Sequence, residues 1–256
     1  MTLPRTQAEM TGAFFDLDST LLPPTSLEWR FIGYLLERDE ISRVLVGRWL
    51  ARLAGSFWRD PHGATAGNKS YLCGLREALV DEWEKSLGPE FFCRDSLVFF
   101  EEGLQRVAWH CAQSHRVFLV SGTLAPLARV AARNLAELVS AEIEVCATEL
   151  QVAPGHPRMW NGQIAGEHMS GGAKLRAAQI LAARHGLDLS RSYAYGDSAG
   201  DREMLEAVGH SIAVNPSRHL ARVARKRGWK TCVWKKTLAG VPIVASRRLA
   251  AQAARS

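Results

Sequence analysis

In GAFFDLDSTLLPP, residues 12–24, an apolar run from Ala13 to Phe15 ends in two carboxylates one residue apart, Asp16 and Asp18, with Thr20 two positions on. Unpaired carboxylates at the end of a buried segment repel each other and are costly to desolvate. The pattern marks either a solvated turn or a site where a cation offsets the repulsion. If Asp16 closes a strand and the chain turns at Asp18, oxygens of both can address Mg2+, a hard cation that prefers carboxylate, carbonyl and water. A second segment, VFLVSGT, ends in Ser121, Gly122 and Thr123 ahead of Pro126. A hydroxyl followed by open backbone N–H groups at a helix entrance can cradle phosphate oxygens, although Ser-Gly after a strand is commonly only a turn. A third, SGGAK, places Lys174 in the first turn of a helix entered through Gly171 and Gly172. An ammonium there opposes the helix dipole. A nearby anion would account for it, as would a solvated surface position.

The fourth segment, YAYGDSAGDREML, supports two chemistries. Gly196 to Gly200 fits G-x-S-x-G, which would make Ser198 an esterase nucleophile. Such a triad needs an acid and then a histidine later in the chain, yet no aspartate follows Asp201, and Glu203 and Glu206 lie on the adjacent predicted helix. His210 and His219 are left without an orienting carboxylate. Read instead as G-D-S-x-x-D, the same residues put Asp197 at a strand end and Asp201 on the first helical turn, adding carboxylates to a metal site.

Positioning these groups takes a sheet. Short apolar runs at Ala13–Phe15, Val117–Val120, Ile143–Ala147, Tyr193–Tyr195 and Ile212–Val214 alternate with helical patterns. That alternation predicts a parallel sheet covered by helices on both faces, with ligands outside the carboxyl ends of the strands. From about 25 to 100 the alternation breaks. TSLE reads as a capping box, with Thr25 as N-cap and Glu28 reaching back, ahead of Leu27, Phe31 and Leu35 at helical spacing. A second helix follows through Ile41, Leu45, Trp49 and Leu53, with Arg48, Arg52 and Arg59 on its other face. Further helical patterns run over 72–87 and 97–115, and residues 149–167 read as a β-hairpin looping around Pro154 to Pro157. The predicted architecture is α/β: a doubly wound, Rossmann-like parallel sheet from residues 1–24 and 101–256, with an all-helical cap inserted at 25–100.

The chain has 256 residues, 47% of them hydrophobic, enough for a sizeable core. Its first residues lack the apolar core of a signal peptide, and no segment approaches the roughly 20 apolar residues that span a bilayer. The expectation is a soluble, cytoplasmic protein. Five scattered cysteines without a C-x-x-C argue against a disulfide framework or a zinc site. A net charge of +6 favours anionic partners without singling out nucleic acid. A small anionic phosphorylated substrate satisfies it, and no nucleic-acid partner is expected.

Taken in order, D-x-D-x-T, S-G-T, a helix-starting lysine and G-D-S-x-x-D, with a helical insert between the first two, the chain resembles the haloacid dehalogenase superfamily. More narrowly it is similar to the phosphoserine-phosphatase-like branch with a helical cap, over nearly the whole chain to about residue 235; SIAVNPSRHLARVARKRGW resembles the ending of that branch. The resemblance implies a Mg2+-dependent phosphatase with Asp16 as nucleophile, forming an aspartyl-phosphate, and Asp18 as general acid and then base. It implies that Ser121 and the Gly122 N–H hold phosphoryl oxygens and that Lys174 neutralises charge on the transferred group. Mg2+ would be held by Asp16, Asp18 through its carbonyl, and Asp197, with Asp201 binding metal-bound water or orienting Lys174.

The resemblance implies a phosphomonoester substrate, and one residue bears on which. Phosphoserine phosphatases carry a glutamate soon after the first motif that meets the substrate ammonium; here that place holds Thr25. The reading therefore favours another small phosphorylated metabolite over phosphoserine. YGDSAGDREML also resembles relatives acting on phosphatidylglycerophosphate, which keeps a lipid phosphate as an alternative, and a phosphomutase would share the nucleophile. The basic segment at 240–256 can form an amphipathic helix, so contact with a membrane surface is a further alternative.

Overall fold

The computed structural model describes residues 10–57, 69–75, 99–155 and 159–237, with only the backbone of 52–57. In chain order its main elements begin with β1 (Gly12–Phe15), α1 (Leu27–Glu37) and α2 (Arg43–Phe57). A 3-10 turn at Ser70–Leu72 precedes α3 (Glu101–Ala112), β2 (Arg116–Leu124), α4 (Ala125–Val139) and β3 (Ile143–Thr148). There follow β4 (Leu150–Ala153), β5 (Met159–Ile164), α5 (Gly172–His185) and β6 (Tyr193–Gly196). The described part closes with α6 (Arg202–Glu206), β7 (His210–Val214), α7 (Arg218–Arg227) and β8 (Lys230–Cys232).

Six strands form one sheet in the order β3-β2-β1-β6-β7-β8, and every pairing is parallel. This is the predicted doubly wound α/β fold. The chain builds outward from β1 to β2 and β3, then returns to β1 and builds the other way, so β1 lies at the reversal of strand order where ligands bind. The residues of β1 are all buried because it is covered on both faces. Their side chains alternate: Phe14 stacks on Phe118 at 5.1 Å on one face, and Phe15 stacks on Tyr195 at 4.2 Å on the other. Each such side chain contributes about 1.5–3 kcal/mol on burial. Phe14 packs with Leu181, Met204, Leu205 and Leu220; Phe15 shares its core with Leu119, Val107 and Leu135. That second core runs on into Phe31, Leu35, Trp49 and Tyr71, so the helices following β1 are anchored on the sheet beside the strand ends.

Several local expectations change. The N-cap of α1 is Ser26, whose hydroxyl accepts the Trp29 N–H at 3.5 Å, and Glu28 does not close a capping box. α2 starts at Arg43, and its phase buries Val46 while Leu45 is half-buried. Where a helix from residue 72 was expected, the chain makes one 3-10 turn and swings away through Gly74 at φ +87°; residues 76–98 lie outside the described residues. α3 is shorter than the predicted 97–115. The hairpin is present as antiparallel β4 and β5, and β8 is an edge strand that was not predicted. Arg59 and the segment 240–256 lie outside the described residues. Among the described residues no helix is long and apolar enough to cross a membrane.

Candidate active site

The carboxyl ends of β1, β2 and β6 meet at one point, and the start of α5 closes it. Asp16 follows β1 directly, with its N–H on the Tyr195 carbonyl at 3.0 Å and its side chain buried. Lys174, 3% exposed, reaches from α5 to donate to Asp16 Oδ1 at 2.6 Å and to Asp201 Oδ1 at 2.5 Å. Asp16 Oδ2 accepts the Thr20 hydroxyl at 3.2 Å. Asp201 in turn pins the turn after β6. Its Oδ2 accepts the N–H of Asp197 at 3.1 Å, the N–H of Ser198 at 2.9 Å and the Ser198 hydroxyl at 2.9 Å. A Cβ on Gly196 would run into Asp201, so glycine is required for this approach.

Carboxylate oxygens of Asp16, Asp197 and Asp201 all lie within 4.8 Å of one another. Burial pushes the carboxyls of Asp16 and Asp197 well above the usual range, and the neighbouring carboxylates push the same way against Lys174. Burial alone would disfavour the Lys174 ammonium, but Asp16 and Asp201 outweigh it and hold its pKa above the ordinary lysine value. One ammonium among three carboxylates leaves negative charge uncompensated. An all-oxygen donor set with that excess suits a hard divalent cation.

Asp18 sits differently, although only Leu17 separates it from Asp16. The chain turns through Ser19 at φ +62°, and the Asp18 side chain points to other partners: Oδ1 accepts the Leu27 N–H at 2.7 Å, and Oδ2 accepts the Thr123 hydroxyl. Its side chain is therefore outside the three-carboxylate cluster, which leaves only its backbone carbonyl for the metal role that the resemblance implies. Burial raises the Asp18 carboxyl, while Thr123 and the Leu27 N–H oppose the rise. A carboxyl with a raised pKa and its own supports can carry a proton beside an ionised Asp16. Ser121 is buried and its Oγ accepts the Thr123 N–H at 3.2 Å. The Gly122 carbonyl accepts the Thr148 hydroxyl at 2.8 Å, and the His168 ring lies 3.0 Å from where a Gly122 Cβ would stand. The geometry thus brings Asp16, Lys174, Asp197 and Asp201 together, with Asp18 and the β2 end joined through Thr123. Ser198 spends its hydroxyl on Asp201 and has no histidine partner among the described residues, so the esterase reading has no support in the geometry.

Four residues beside this site were not singled out from the sequence as part of it. Glu28 accepts two hydrogen bonds from Lys69 Nζ, at 2.6 and 2.7 Å, and one from the Tyr71 hydroxyl at 2.7 Å. His168 covers Gly122. Glu28 alone carried a signal, and it was read as a helix cap; Lys69, Tyr71 and His168 carry no diagnostic spacing. Of the arginines on the other face of the second predicted helix, Arg48 is exposed, and the Arg52 side chain and Arg59 lie outside the described residues.

Comparison with known proteins bears on the family and the fold. The family described as haloacid dehalogenase-like hydrolase matches residues 13–206. An "inhibition of morphological differentiation protein" of Streptomyces azureus is 31% identical over 229 residues, covering 86% of this chain and 76% of that protein. A phosphoserine phosphatase of Mycobacterium tuberculosis is 29% identical over 227 residues, covering 86% and 69%. Among solved structures, a protein of unknown function from Bordetella pertussis superposes with a TM-score of 0.67 at 25% identity, over 88% of this chain and 99% of that one.

Proposed function

Because the chain belongs to the haloacid dehalogenase-like hydrolases and is a phosphatase of that family, we propose that it hydrolyses a small phosphorylated metabolite through a phosphoryl-enzyme on Asp16. The observation that carries the reading is the buried Lys174 ammonium held between Asp16 and Asp201, with Asp197 completing three carboxylates within 4.8 Å.

In the first step a carboxylate oxygen of Asp16 forms a bond to phosphorus while the bond to the leaving oxygen breaks. Asp18 gives its proton to that oxygen, and the alcohol departs. In the second step Asp18, now a carboxylate, takes a proton from water as the water oxygen bonds to phosphorus, and the bond to Asp16 breaks. Phosphate leaves, and both aspartates return to their starting states. Lys174 favours the ionised form of Asp16 against the effect of burial and lies beside the negative charge of the transferred group. Ser121 and the Gly122 N–H orient the phosphoryl oxygens from the β2 side. Asp16, Asp197 and the Asp18 carbonyl, with Asp201 behind them, would hold Mg2+, which would supply positive charge against the carboxylates and the phosphoryl oxygens.

In this reading the segment 25–100 acts as a cap; its described parts, α1, α2 and the turn at Ser70–Leu72, share the core that contains Phe15. Asp16→Asn, assayed with p-nitrophenyl phosphate and Mg2+, is expected to lose turnover. Retained turnover would remove Asp16 from the chemistry.

A further inference from the structure

The segment after β1 carries a buried polar cluster that the two hydrolytic steps do not use. Glu28 holds Lys69 at 2.6 and 2.7 Å and Tyr71 at 2.7 Å, with Lys69 only 3% exposed and Tyr71 fully enclosed. Withdrawing an ion pair from water is costly and seldom stabilises a fold by itself, so its location is informative. Three connections tie it to the phosphoryl site. Leu27, the residue before Glu28, gives its N–H to Asp18. The Lys69 N–H donates to the Gly162 carbonyl at 3.0 Å, and Gly162, at φ +77°, lies so close to Ser70 that a side chain there would collide. That contact docks the turn onto β5, and the chain runs on from β5 to His168. The His168 ring lies on Gly122, electrostatically linked to Glu28, Lys69 and Lys174 alike, and its Nδ1 is buried with no partner among the described residues.

We propose that Glu28, Lys69 and His168, with Tyr71 seated behind Glu28, border the leaving-group side of the site and select a phosphate ester of an uncharged, hydroxyl-bearing alcohol, such as a polyol or sugar, over one carrying an ammonium. The inference rests on Asp16 being the phosphoryl acceptor and specifies the alcohol that departs. The charges of the cluster decide the class. A substrate ammonium drawn toward Glu28 meets the Lys69 ammonium already seated on both oxygens, and like charges a few ångströms apart in a buried site weaken binding by roughly tenfold or more. A substrate carboxylate drawn toward Lys69 meets Glu28 in the same way. A hydroxyl both donates and accepts, so it can pair with the ammonium and the carboxylate at once, and it also suits the unpartnered imidazole nitrogen of His168. Burial pushes the His168 imidazole down to about 4, so it meets that hydroxyl as a neutral ring.

The test is the ratio of kcat/KM for glycerol phosphate to that for phosphoethanolamine, measured on one preparation so that a uniform loss of activity cancels. The wild-type chain is expected to favour glycerol phosphate by about tenfold or more. Lys69→Met leaves Glu28 as an unpaired carboxylate, and the ratio should fall by about tenfold. Glu28→Gln combined with Lys69→Met removes both charges, and the ratio should return toward the wild-type value. A wild-type ratio near or below one, or a ratio unmoved by Lys69→Met, overturns the proposal. Should Lys69→Met fail to fold, the wild-type ratio and the double variant decide. Hydrolysis of p-nitrophenyl phosphate without discrimination removes the selectivity alone; no hydrolysis of any of the three removes the phosphatase reading and the selectivity with it.

Discussion

Replacing Lys174 with methionine keeps the length of the side chain and deletes one charge from the centre of the site. The deleted ammonium is 3% exposed and lies 2.6 Å from Asp16 and 2.5 Å from Asp201, with Asp197 close by. Breaking a buried pair by removing one partner costs about 3–5 kcal/mol. For a domain of this size each kcal/mol lowers Tm by about 2–4 °C, which gives a fall of roughly 6–20 °C. The loss has a defined pH dependence. Burial already raises the Asp16 carboxyl against the pull of Lys174, and without Lys174 it binds its proton more tightly still than in the unfolded chain, whose carboxyls titrate near 4. The folded state then holds more protons as pH rises above that range, so the variant loses further stability from pH 6 to pH 8. Catalysis falls as well: removing a charge aimed at the transferred group costs about 10²–10³ in kcat. Thermal unfolding at pH 6 and pH 8, and turnover of p-nitrophenyl phosphate with saturating Mg2+, measure both effects. A kcat within about threefold of wild type, about 0.6 kcal/mol, with unchanged Tm would refute the placement of Lys174 between the carboxylates.

The remaining predictions concern its supports. Thr123→Val removes the hydroxyl that donates to Asp18 Oδ2; kcat should fall about tenfold while the fold is kept, and an unchanged kcat would show that Asp18 needs no support from β2. Gly196→Ala forces a Cβ against Asp201 and should destabilise the chain by about 1–3 kcal/mol and depress turnover; a silent substitution would mean that the turn after β6 is looser than described. His110 lies away from the site, between the Tyr195 hydroxyl and His115 Nδ1, each at 2.8 Å, and burial pushes its pKa down to about 3. Only the unfolded chain takes up its proton as pH drops below about 6.5, so from pH 7 to pH 5 the wild type should lose roughly 2 kcal/mol more than His110→Gln in denaturant titrations. Parallel loss in both proteins would contradict that account.

The parts of this site legible in the sequence are those in which one short segment carries both the strand and the group. Asp16 and Asp197 could be placed because each follows an apolar run that can only be a buried strand, and Lys174 because two glycines mark the helix entrance. What was misread depends on contacts between distant segments. Thr25 and Ser26 are both able to cap α1, and Ser26 does so while Glu28, 41 residues before Lys69, turns to that lysine instead of back to the helix end. Lys69 and His168 look like ordinary surface residues until β5 brings the turn and the loop against the strand ends. β8 was missed because two of its three residues are exposed at the sheet edge, so it has no apolar run. In α2 the start at Arg43 sets which of the adjacent Leu45 and Val46 faces inward, and nothing local distinguishes them.

The central claim is that phosphorus passes through Asp16. Mixing the enzyme with substrate and Mg2+, quenching in acid within a single turnover and mapping the modified peptide by mass spectrometry tests it directly. One phosphoryl group is expected on the peptide containing Asp16, absent from Asp16→Asn and cleared in the native enzyme as phosphate is released. A phosphoryl group on any other residue, or turnover with no labelled aspartate in a quench fast enough to catch it, would contradict the account.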